Sequence, residues 1–375
     1  MRSQIVEMIL EDLALCFVPN LGTRGVVHLL EVFGNADRIY SASEEELRVR
    51  AKLRPDVAHS IAHRVGFAEA ERELYYAADN DIEITAFGDA LYPRLLGEAS
   101  DRPHIIYSLG DVSALNSPHI LSVVGTRRIT PYGEKCCYRL IRDLAEMFSD
   151  LVVVSGLAFG VDAAVHHAAI DGSVRTVGVV ANPLPKVTPA QHSVLAKGIV
   201  AEGGAIVSEL HSATKQNGNY YIPRNRIIAA VAEGLLVVES PANGGSLSTV
   251  RAADSYARTI MAVPGRIGDA MSVGTNHLIK SNLAHLVTSA EDIASALGWQ
   301  VEGKVAEKIH YAPREASPLE EQILGCFVDG GEPVSLDEIA LRCAITTAEA
   351  SAILLDMELS GVVRQLPGKY YDKTI

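Results

Sequence analysis

The chain has 375 residues, of which 48% are apolar, enough for one large domain with smaller attachments. Its formal net charge of −13 argues against membrane-surface binding and against generic nucleic-acid binding. A nucleic-acid site must therefore be a confined basic patch on an acidic body. The sequence contains no apolar run of membrane-spanning length, and acids interrupt the apolar N-terminal stretch, so we expect a cytoplasmic protein without a signal peptide.

The five cysteines are odd in number and form no C-x-x-C pair, which predicts reduced core thiols rather than disulfides or a zinc site. Residues 1–70 read as a helical module. Within it, Val18–Arg24 (VPNLGTR) forms a short Gly-containing turn that resembles a helix-hairpin-helix or SAM-like module. Such a turn presents backbone N–H groups to a DNA phosphate or simply makes a tight corner between helices.

Residues 71–118 are expected to connect this module to the next domain. From 119 to 298, apolar runs rich in β-formers alternate with helical segments. The runs are nearly continuous, as expected for parallel strands that helices bury on both faces. This pattern predicts an α/β fold with an extended, Rossmann-like, doubly wound and mostly parallel sheet. The predicted strands are HILSVVG, LVVVSG, RTVGVV, AIVSE, LLVVES, TIMAVPG and HLV.

Residues 299–318 are charged, contain proline and lack apolar periodicity, so they are predicted to be a linker. Residues 319–375 show helical patterns followed by a hairpin signature, which predicts a winged helix. Its third helix, 347–359, contains no lysine or arginine, and the region from 319 carries ten acids against four bases. This charge favours a protein contact over DNA binding.

Polar motifs fall where the predicted strands end, which is the edge where doubly wound sheets bind ligands. VVGTRRITPYG is a strand, a turn and a helix start, with Gly125 at the turn and Arg127 at the strand end. It has the form of a phosphate cradle without a Walker lysine. The turn SGLAFGVD adds Ser155, Gly156 and Gly160, and a third glycine turn follows at Asn243–Ser246.

The segment IPRNRII places Arg224, Asn225 and Arg226 at the mouth of an apolar helix. Arginine presents a planar fork of donors that matches phosphate oxygens in pairs, so this cluster is a candidate anion site. Asp162 and His166 lie four residues apart on one predicted helix, either as a catalytic or metal pair or as a helix cap and a hydrogen-bonded core histidine. The second interpretation is favoured because no third ligand has suitable spacing.

We find no nucleophile elbow, no H-E-x-x-H and no Walker A loop, so we expect no catalytic residues, no metal and no cofactor. At this point a resemblance to the DNA-processing protein A (DprA, or Smf) family is clear along essentially the whole chain. It rests on ordered motifs that include ALYPRLL, VVGTRRITPYG, VVSGLAFGVDAAVHHAAI, IPRNRIIAAV, LVVESPANGGSLSTVRAA and GTNHLI.

The resemblance implies a protein that binds and protects single-stranded DNA in natural transformation, loads the recombinase RecA and forms a homodimer. It implies a phosphate site at the positions that match the family motifs. Those positions are Gly125, Arg127, Ser155, Gly156, Gly160, Arg224, Asn225 and Arg226, with Lys280 as a weaker candidate. Phe159, Tyr220 and Tyr221 are candidates for base stacking, although Phe159 is expected to pack in the core.

The loop 181–192 departs from the family pattern of G-x-G-x-D, Tyr-Pro and a basic residue. Pro183 stands in place of a glycine, and Ala190 stands in place of the basic residue that contacts DNA in the family. We therefore expect weaker or differently shaped DNA binding, because one lost charge-assisted contact costs about 1.5–3 kcal/mol. Two alternatives remain: a degenerate paralogue that acts as an interaction protein, and a nucleotide-processing enzyme of related fold.

Overall fold

The computed structural model describes residues 2–215, 217–300, 317–327, 333–359, 362–366 and 368–373. They divide into two compact units, Met1–Glu302 and Gly303–Ile375, each with its own apolar core. Among the described residues, no helix is long and apolar enough to cross a membrane.

The first unit begins with a helical module, as the sequence predicts. The Val18–Arg24 turn joins its first two helices, and the N-terminus of the second helix has no side-chain cap. The fourth helix begins with a capping box, in which Ser43 and Glu46 satisfy each other's backbone N–H groups. The helices are α1 (Arg2–Leu15), α2 (Thr23–Phe33), α3 (Ala36–Ser41), α4 (Glu44–Arg50), α5 (Pro55–Ala62) and α6 (Phe67–Asp79).

The segment expected only to connect the module to the sheet instead contributes two strands of that sheet. These are β1 (Glu83–Ala86) and β2 (Ile105–Gly110), separated by the short helix α7 (Arg94–Gly97). They pair antiparallel with each other, and β2 pairs antiparallel with a strand of the parallel region. Ile105 and Tyr107 are buried against the helical module, so this segment fastens the module to the sheet.

All seven strands predicted from apolar runs are present, and the prediction of a mostly parallel α/β sheet is confirmed. The chain continues as β3 (Ile120–Val124), α8 (Pro131–Met147), β4 (Val152–Ser155), α9 (Val161–Asp171), β5 (Arg175–Val179), α10 (Ser193–Ala201), β6 (Ala205–Ser208), α11 (Tyr221–Ala230), β7 (Gly234–Val237), α12 (Ser246–Ser255), β8 (Thr259–Ala262), α13 (Val273–Lys280), β9 (His285–Leu286) and α14 (Ala290–Leu297).

The order of the strands in space fixes where a ligand can bind. The nine-stranded sheet has the order β1-β2-β6-β5-β4-β3-β7-β8-β9. From β3, the chain winds through β4 and β5 toward one edge, and then returns to β7 on the other side of β3. The winding direction therefore reverses between β3 and β7, and doubly wound sheets bind ligands at the carboxyl end of such a switch point.

Helices bury both faces of the sheet. Leu121, Val123 and Val153 pack under α8 and α9, whereas Val124 and Val237 face the side that α11 and α12 cover. All five side chains are buried. Burial on both faces explains why the strands read as continuous apolar runs rather than as alternating patterns.

The second unit is a winged helix. Its three-stranded sheet has the order β10-β12-β11, and its third helix coincides with the predicted one. The elements are α15 (Pro318–Leu324), β10 (Val334–Ser335), α16 (Leu336–Cys343), α17 (Thr347–Leu359), β11 (Val363–Leu366) and β12 (Tyr370–Lys373). Most of the predicted linker, residues 301–316, lies outside the described residues.

His166 of α9 is a core residue. It is fully buried, and its Nδ1 lies 2.7 Å from the Thr176 hydroxyl, which itself donates to the Val153 carbonyl. Nδ1 must therefore carry the proton as the donor. Burial lowers the pKa of His166 to about 3, and the nearby His167, His192 and Arg224 add to this shift.

We predict an acid-dependent loss of stability from this histidine. The pKa of His166 is lower in the folded state than in the unfolded chain. Its contribution to the free energy of unfolding is therefore complete above about pH 6.5. It is then lost as the pH falls toward 3, at about 1.4 kcal/mol per pH unit. Urea unfolding between pH 6.5 and 4.5 should show a shallower pH slope for His166→Asn than for the native chain. A control variant at the exposed His167, His167→Asn, should keep the native slope. Equal slopes for all three proteins would contradict this account.

Candidate nucleic-acid interface

A cavity of about 550 Å³ opens at the carboxyl ends of β3 and β7, where the winding direction reverses. We call it the rim pocket. The loops after β3, β4 and β7 and the first turns of α11 and α12 supply its walls. Its lining residues are Val124, Gly125, Thr126, Arg127, Ala158, Asp162, Tyr221, Ile222, Arg224, Asn225, Ile228, Pro241, Asn243, Gly244, Gly245, Ser246, Ser248, Thr249 and Arg251.

Two glycines allow the turns after β3 and β4 to touch. A Cβ atom on Gly125 would lie 2.4 Å from a methyl group of Val161. Gly160 has a φ of +80°, and a Cβ there would lie 2.2 Å from the carbonyl oxygen of Thr126. A side chain at either position would push the two loops apart. The glycines thus bring the first turn of α9 against the backbone of Arg127.

Arg224 is a buried structural residue rather than a free phosphate ligand. Its Nη1 donates to the carbonyl oxygen of Gly156 at 2.6 Å and to that of Val179. Burial lowers its pKa, and Asp162 beside it opposes that shift. Burial likewise raises the pKa of Asp162, against the effect of Arg224. The guanidinium therefore fastens α11 to the ends of β4 and β5.

Asp162 lies in the first turn of α9, behind the helix cap at Gly160. It accepts a hydrogen bond of 3.3 Å from the Ala158 N–H. His166, four residues on, bonds Thr176 instead. The expectation of a hydrogen-bonded core histidine therefore agrees with these contacts, whereas the expectation that Asp162 caps the helix is wrong because Gly160 occupies the cap position.

Arg127 presents an exposed cation to the rim pocket. Its guanidinium carbon lies 5.1 Å from the centre of the Tyr221 ring, and within the described residues it has no carboxylate partner. Asn225 lies beside them and donates to the Ser248 hydroxyl at 2.8 Å. An accessible arginine against an aromatic face is suited to a phosphate with a base next to it.

Sequence reasoning missed Arg251 but located the start of α12 through its glycine turn. Arg251 is exposed on α12 and adds a second cation to the lining. Helix α12 begins at Ser246 in the pocket wall without a side-chain cap, so its N-terminal dipole faces the cavity. The run NGGSLSTVR signalled the helix start, but only the fold brings Arg251 to the opening.

Three predicted phosphate ligands lie elsewhere. Arg226 points away from the rim pocket, because it pairs with Glu209 and lies 4.0 Å from Asp101 in a different cleft. Lys280 is the last residue of α13, and no residue of this helix lines the rim pocket. Ser155 is buried and donates to the Val123 carbonyl at 2.7 Å, so it joins β4 to β3. None of the three lines the pocket, and the predicted Gly156 and Gly160 lie behind its lining rather than in it.

The unusual loop 181–192 has internal supports of its own. The Asn182 amide donates to the carbonyl oxygens of Pro183 and Lys186. His192 contacts the carbonyl oxygen of Leu157 at 2.8 Å, and its ring lies 4.8 Å from that of Phe159. Phe159 is 46% exposed, so the expectation that it packs in the core is wrong. Its ring stands beside Ala158 on the pocket rim because His192 supports it from the loop.

One group of potential metal ligands occurs in the part of the chain that the structure describes. It consists of Glu44, His59 and His63 in the helical module, not at the rim pocket.

Comparison with known proteins identifies the family. Residues 83–298 match the family described as DNA recombination-mediator protein A, and residues 310–369 match the DprA winged helix domain. The first match covers more than half of the chain. The chain therefore belongs to the DNA recombination-mediator protein A family, as its motifs suggest.

Individual relatives agree with this assignment. Protein Smf of Escherichia coli is 34% identical over 284 residues, which is 74% of each chain. The structure of DNA processing protein A from Streptococcus pneumoniae superimposes with a TM-score of 0.65 at 29% identity, covering 75% of this chain and 95% of that one. DNA processing protein A from Helicobacter pylori, described for its single-stranded DNA binding mode, gives a TM-score of 0.52 at 25% identity and covers 58% and 96%.

Arg224 and Arg127 should differ in their effect on stability. Arg224→Ala leaves Asp162 and two carbonyl groups without their buried partner, which should lower the free energy of unfolding by about 3–5 kcal/mol. Arg127→Ala removes an exposed side chain and should change it by no more than about 0.5 kcal/mol. Chemical denaturation of both variants checks this difference. Equal losses would show that the two residues do not have separate roles.

Proposed function

We propose that the chain binds single-stranded DNA at the rim pocket, protects it and delivers it to the recombinase RecA in transformation and recombination. The observation that carries this proposal is the exposed Arg127 guanidinium beside the Tyr221 ring, at the switch point of the sheet. The single-stranded DNA binding described for the Helicobacter pylori relative supports it. Such a role belongs in the cytoplasm, where incoming DNA meets RecA.

The form of the pocket favours a single strand over a duplex. A cavity of about 550 Å³ between loops has room for part of one strand, but a paired helix cannot enter it. Tyr221 is half-buried in the wall, and Phe159 is exposed on the rim. Aromatic rings stack with bases only when those bases are unpaired, and such stacking tolerates any sequence.

The carboxylates in and near the rim pocket are hydrogen-bonded within the protein, which favours a binding role over hydrolysis. Asp162 is buried and accepts a hydrogen bond from the Ala158 N–H, and Glu239, outside the pocket lining, accepts hydrogen bonds from the backbone and hydroxyl groups of Thr130. Among the described residues, Asp162 is the only carboxylate that lines the pocket. A nucleotide-processing enzyme of this fold needs an acid that is free to act on the substrate or on water.

The loop 181–192 supports the expectation of weaker binding. Ala190 is exposed and uncharged, at the position where the family has a basic residue. Lys186 is also exposed, but its backbone carbonyl, not its ammonium, takes part in the hydrogen bond that shapes the loop. Arg251 adds a cation from α12, so part of the lost attraction is regained at the opposite wall.

The proposal predicts distinct effects for two pocket residues. Arg127→Gln should weaken binding to labelled oligothymidine at least about tenfold and make the salt dependence shallower by about 0.7 log units, because one phosphate contact is lost. Tyr221→Leu should lose about 1–3 kcal/mol of stacking with little change in the salt slope. Fluorescence anisotropy at several salt concentrations measures both effects.

The control for this experiment is Arg94→Gln, which removes the same charge from an exposed position on α7. It should bind like the native chain. If Arg94→Gln weakens binding as much as Arg127→Gln, the attraction comes from overall charge and the rim pocket is not the site.

We also propose a homodimer through the β9 edge of the sheet. β9 is the last strand on that side, and the exposed apolar side chains of Leu283 and Leu286 lie in and beside it. Val273 at the start of α13 is exposed as well. An apolar strand edge of this kind is favourable to cover, and a second copy covers both edges at once.

Negative charge introduced at the β9 edge should dissociate the proposed dimer. Leu283→Glu combined with Leu286→Glu is expected to convert a dimer into a monomer in analytical ultracentrifugation, because each protomer would bury two unpaired carboxylates. Ile267→Glu, at an isolated and fully exposed position, should leave the dimer intact. A native chain that sediments as a monomer at all concentrations would refute this interface.

The acidic winged helix supports a protein partner over DNA for the second unit. α17 occupies the position of a DNA-reading helix but contains no lysine or arginine. If the native chain fails to bind single-stranded DNA at low salt, this unit becomes the basis of the alternative function, an interaction protein without DNA binding.

A further inference from the structure

A second groove, of about 600 Å³, runs along the outer side of α8. We call it the α8 groove and define it by Tyr132, Lys135, Tyr138, Arg139 and Arg142. The three basic residues are spaced by four and three positions, so they share one face of the helix. The groove is therefore a local basic strip on a chain whose net charge is −13.

The local pairing leaves part of this positive charge available. Arg142 pairs with Asp143 at 2.8 Å, and Arg139 donates to the carbonyl oxygen of Thr288 at 2.7 Å. Lys135 is exposed and has no ion pair within the part of the chain that the structure describes. Asp171 is the acid that lines the groove. Three basic side chains and one carboxylate thus line the groove, and a second carboxylate, Asp143, pairs with Arg142 beside it.

Exposed aromatic rings lie between these basic side chains. Tyr132 is 49% exposed, while its hydroxyl donates to the carbonyl oxygen of Pro264 at 2.7 Å. This bond holds the ring at the helix start. Tyr138 is 37% exposed one and a half turns further along. Basic side chains alternating with exposed rings are the features that bind single strands without sequence preference.

An intermediate cleft links the α8 groove to the rim pocket through neighbouring lining residues. Thr126 lines the rim pocket, and its hydroxyl lies 3.5 Å from the sulfur of Met271. Met271, Arg266 and Tyr132 all line one intermediate cleft of about 670 Å³, and Tyr132 also lines the α8 groove. A strand leaving Arg127 can therefore pass Met271 and Tyr132, and of the two carboxylates that line this cleft, Glu239 is buried and hydrogen-bonded to Thr130 while Asp269 is exposed.

We propose that the α8 groove is the second part of the DNA path, and that a strand held at the rim pocket continues along it. This inference rests on the proposed function. Phosphates lie against Lys135 and Arg142, and bases lie against the rings of Tyr132 and Tyr138. The link to the rim pocket and the exposed rings favour a nucleic-acid strand over an acidic peptide.

The test compares oligothymidines of about six and about twenty nucleotides, since single-strand sites of this kind span about 4–16 nucleotides. The variant is Lys135→Gln with Arg142→Gln in the full chain. The control, Arg48→Gln with Arg94→Gln, removes the same charge from exposed positions on α4 and α7. Anisotropy is measured at several salt concentrations, and thermal unfolding verifies that every variant is folded.

For the longer strand, the α8 variant should bind about tenfold more weakly, and its salt slope should fall by about 1.4, which is 0.7 for each of two phosphates. Its affinity for the shorter strand should stay within about twofold of native, and the control should match the native chain for both strands. If the variant binds the longer strand like native, the α8 path is refuted while the rim pocket stands. If the native chain binds neither strand, the proposed function itself fails.

Discussion

The buried guanidinium of Arg224 is the interaction on which the rest of the site depends. It is fixed by the carbonyl oxygens of Gly156 and Val179, at the ends of two parallel strands, with Asp162 of α9 beside it. One side chain thereby joins β4, β5, α9 and α11. A charge buried this deeply costs several kcal/mol unless it is paired and hydrogen-bonded, so the surrounding loops have little freedom to rearrange.

That fixed framework separates two arginines that look equivalent in the sequence. Arg224 is buried and hydrogen-bonded within the fold, while Arg127 is exposed next to Tyr221. Glycines 125 and 160 make the separation possible, because only without side chains can the first turn of α9 reach the backbone of Arg127. The surface that faces the ligand is therefore a small basic patch at the switch point. Such a confined patch is what the net negative charge of the chain allows.

The sheet was largely predictable, and the reason is its double-sided burial. Seven apolar runs became seven strands because helices cover both faces, which makes each run distinctive on its own. β1 and β2 were missed because they are antiparallel and lie before the region in which apolar runs alternate with helices. They are recognisable only through the pairing of β1 with β2, the pairing of β2 with β6 and their contact with the helical module.

The pocket was predictable in position but not in detail. Strand ends and glycine turns located it, since their sequence signals are local. The direction of a side chain depends instead on distant partners: Glu209 draws Arg226 away, and His192 holds Phe159 at the surface. Arg251 was missed for the same reason, because nothing beside it in the chain signals its place at the opening.

The most direct test of this account is a crystal structure of the chain with a short oligothymidine. The account predicts a phosphate bonded to the Arg127 guanidinium and a base against Tyr221, with Arg224 still on the carbonyl oxygens of Gly156 and Val179. DNA bound to the winged-helix unit or to the helical module, with no nucleotide in the rim pocket, would contradict it.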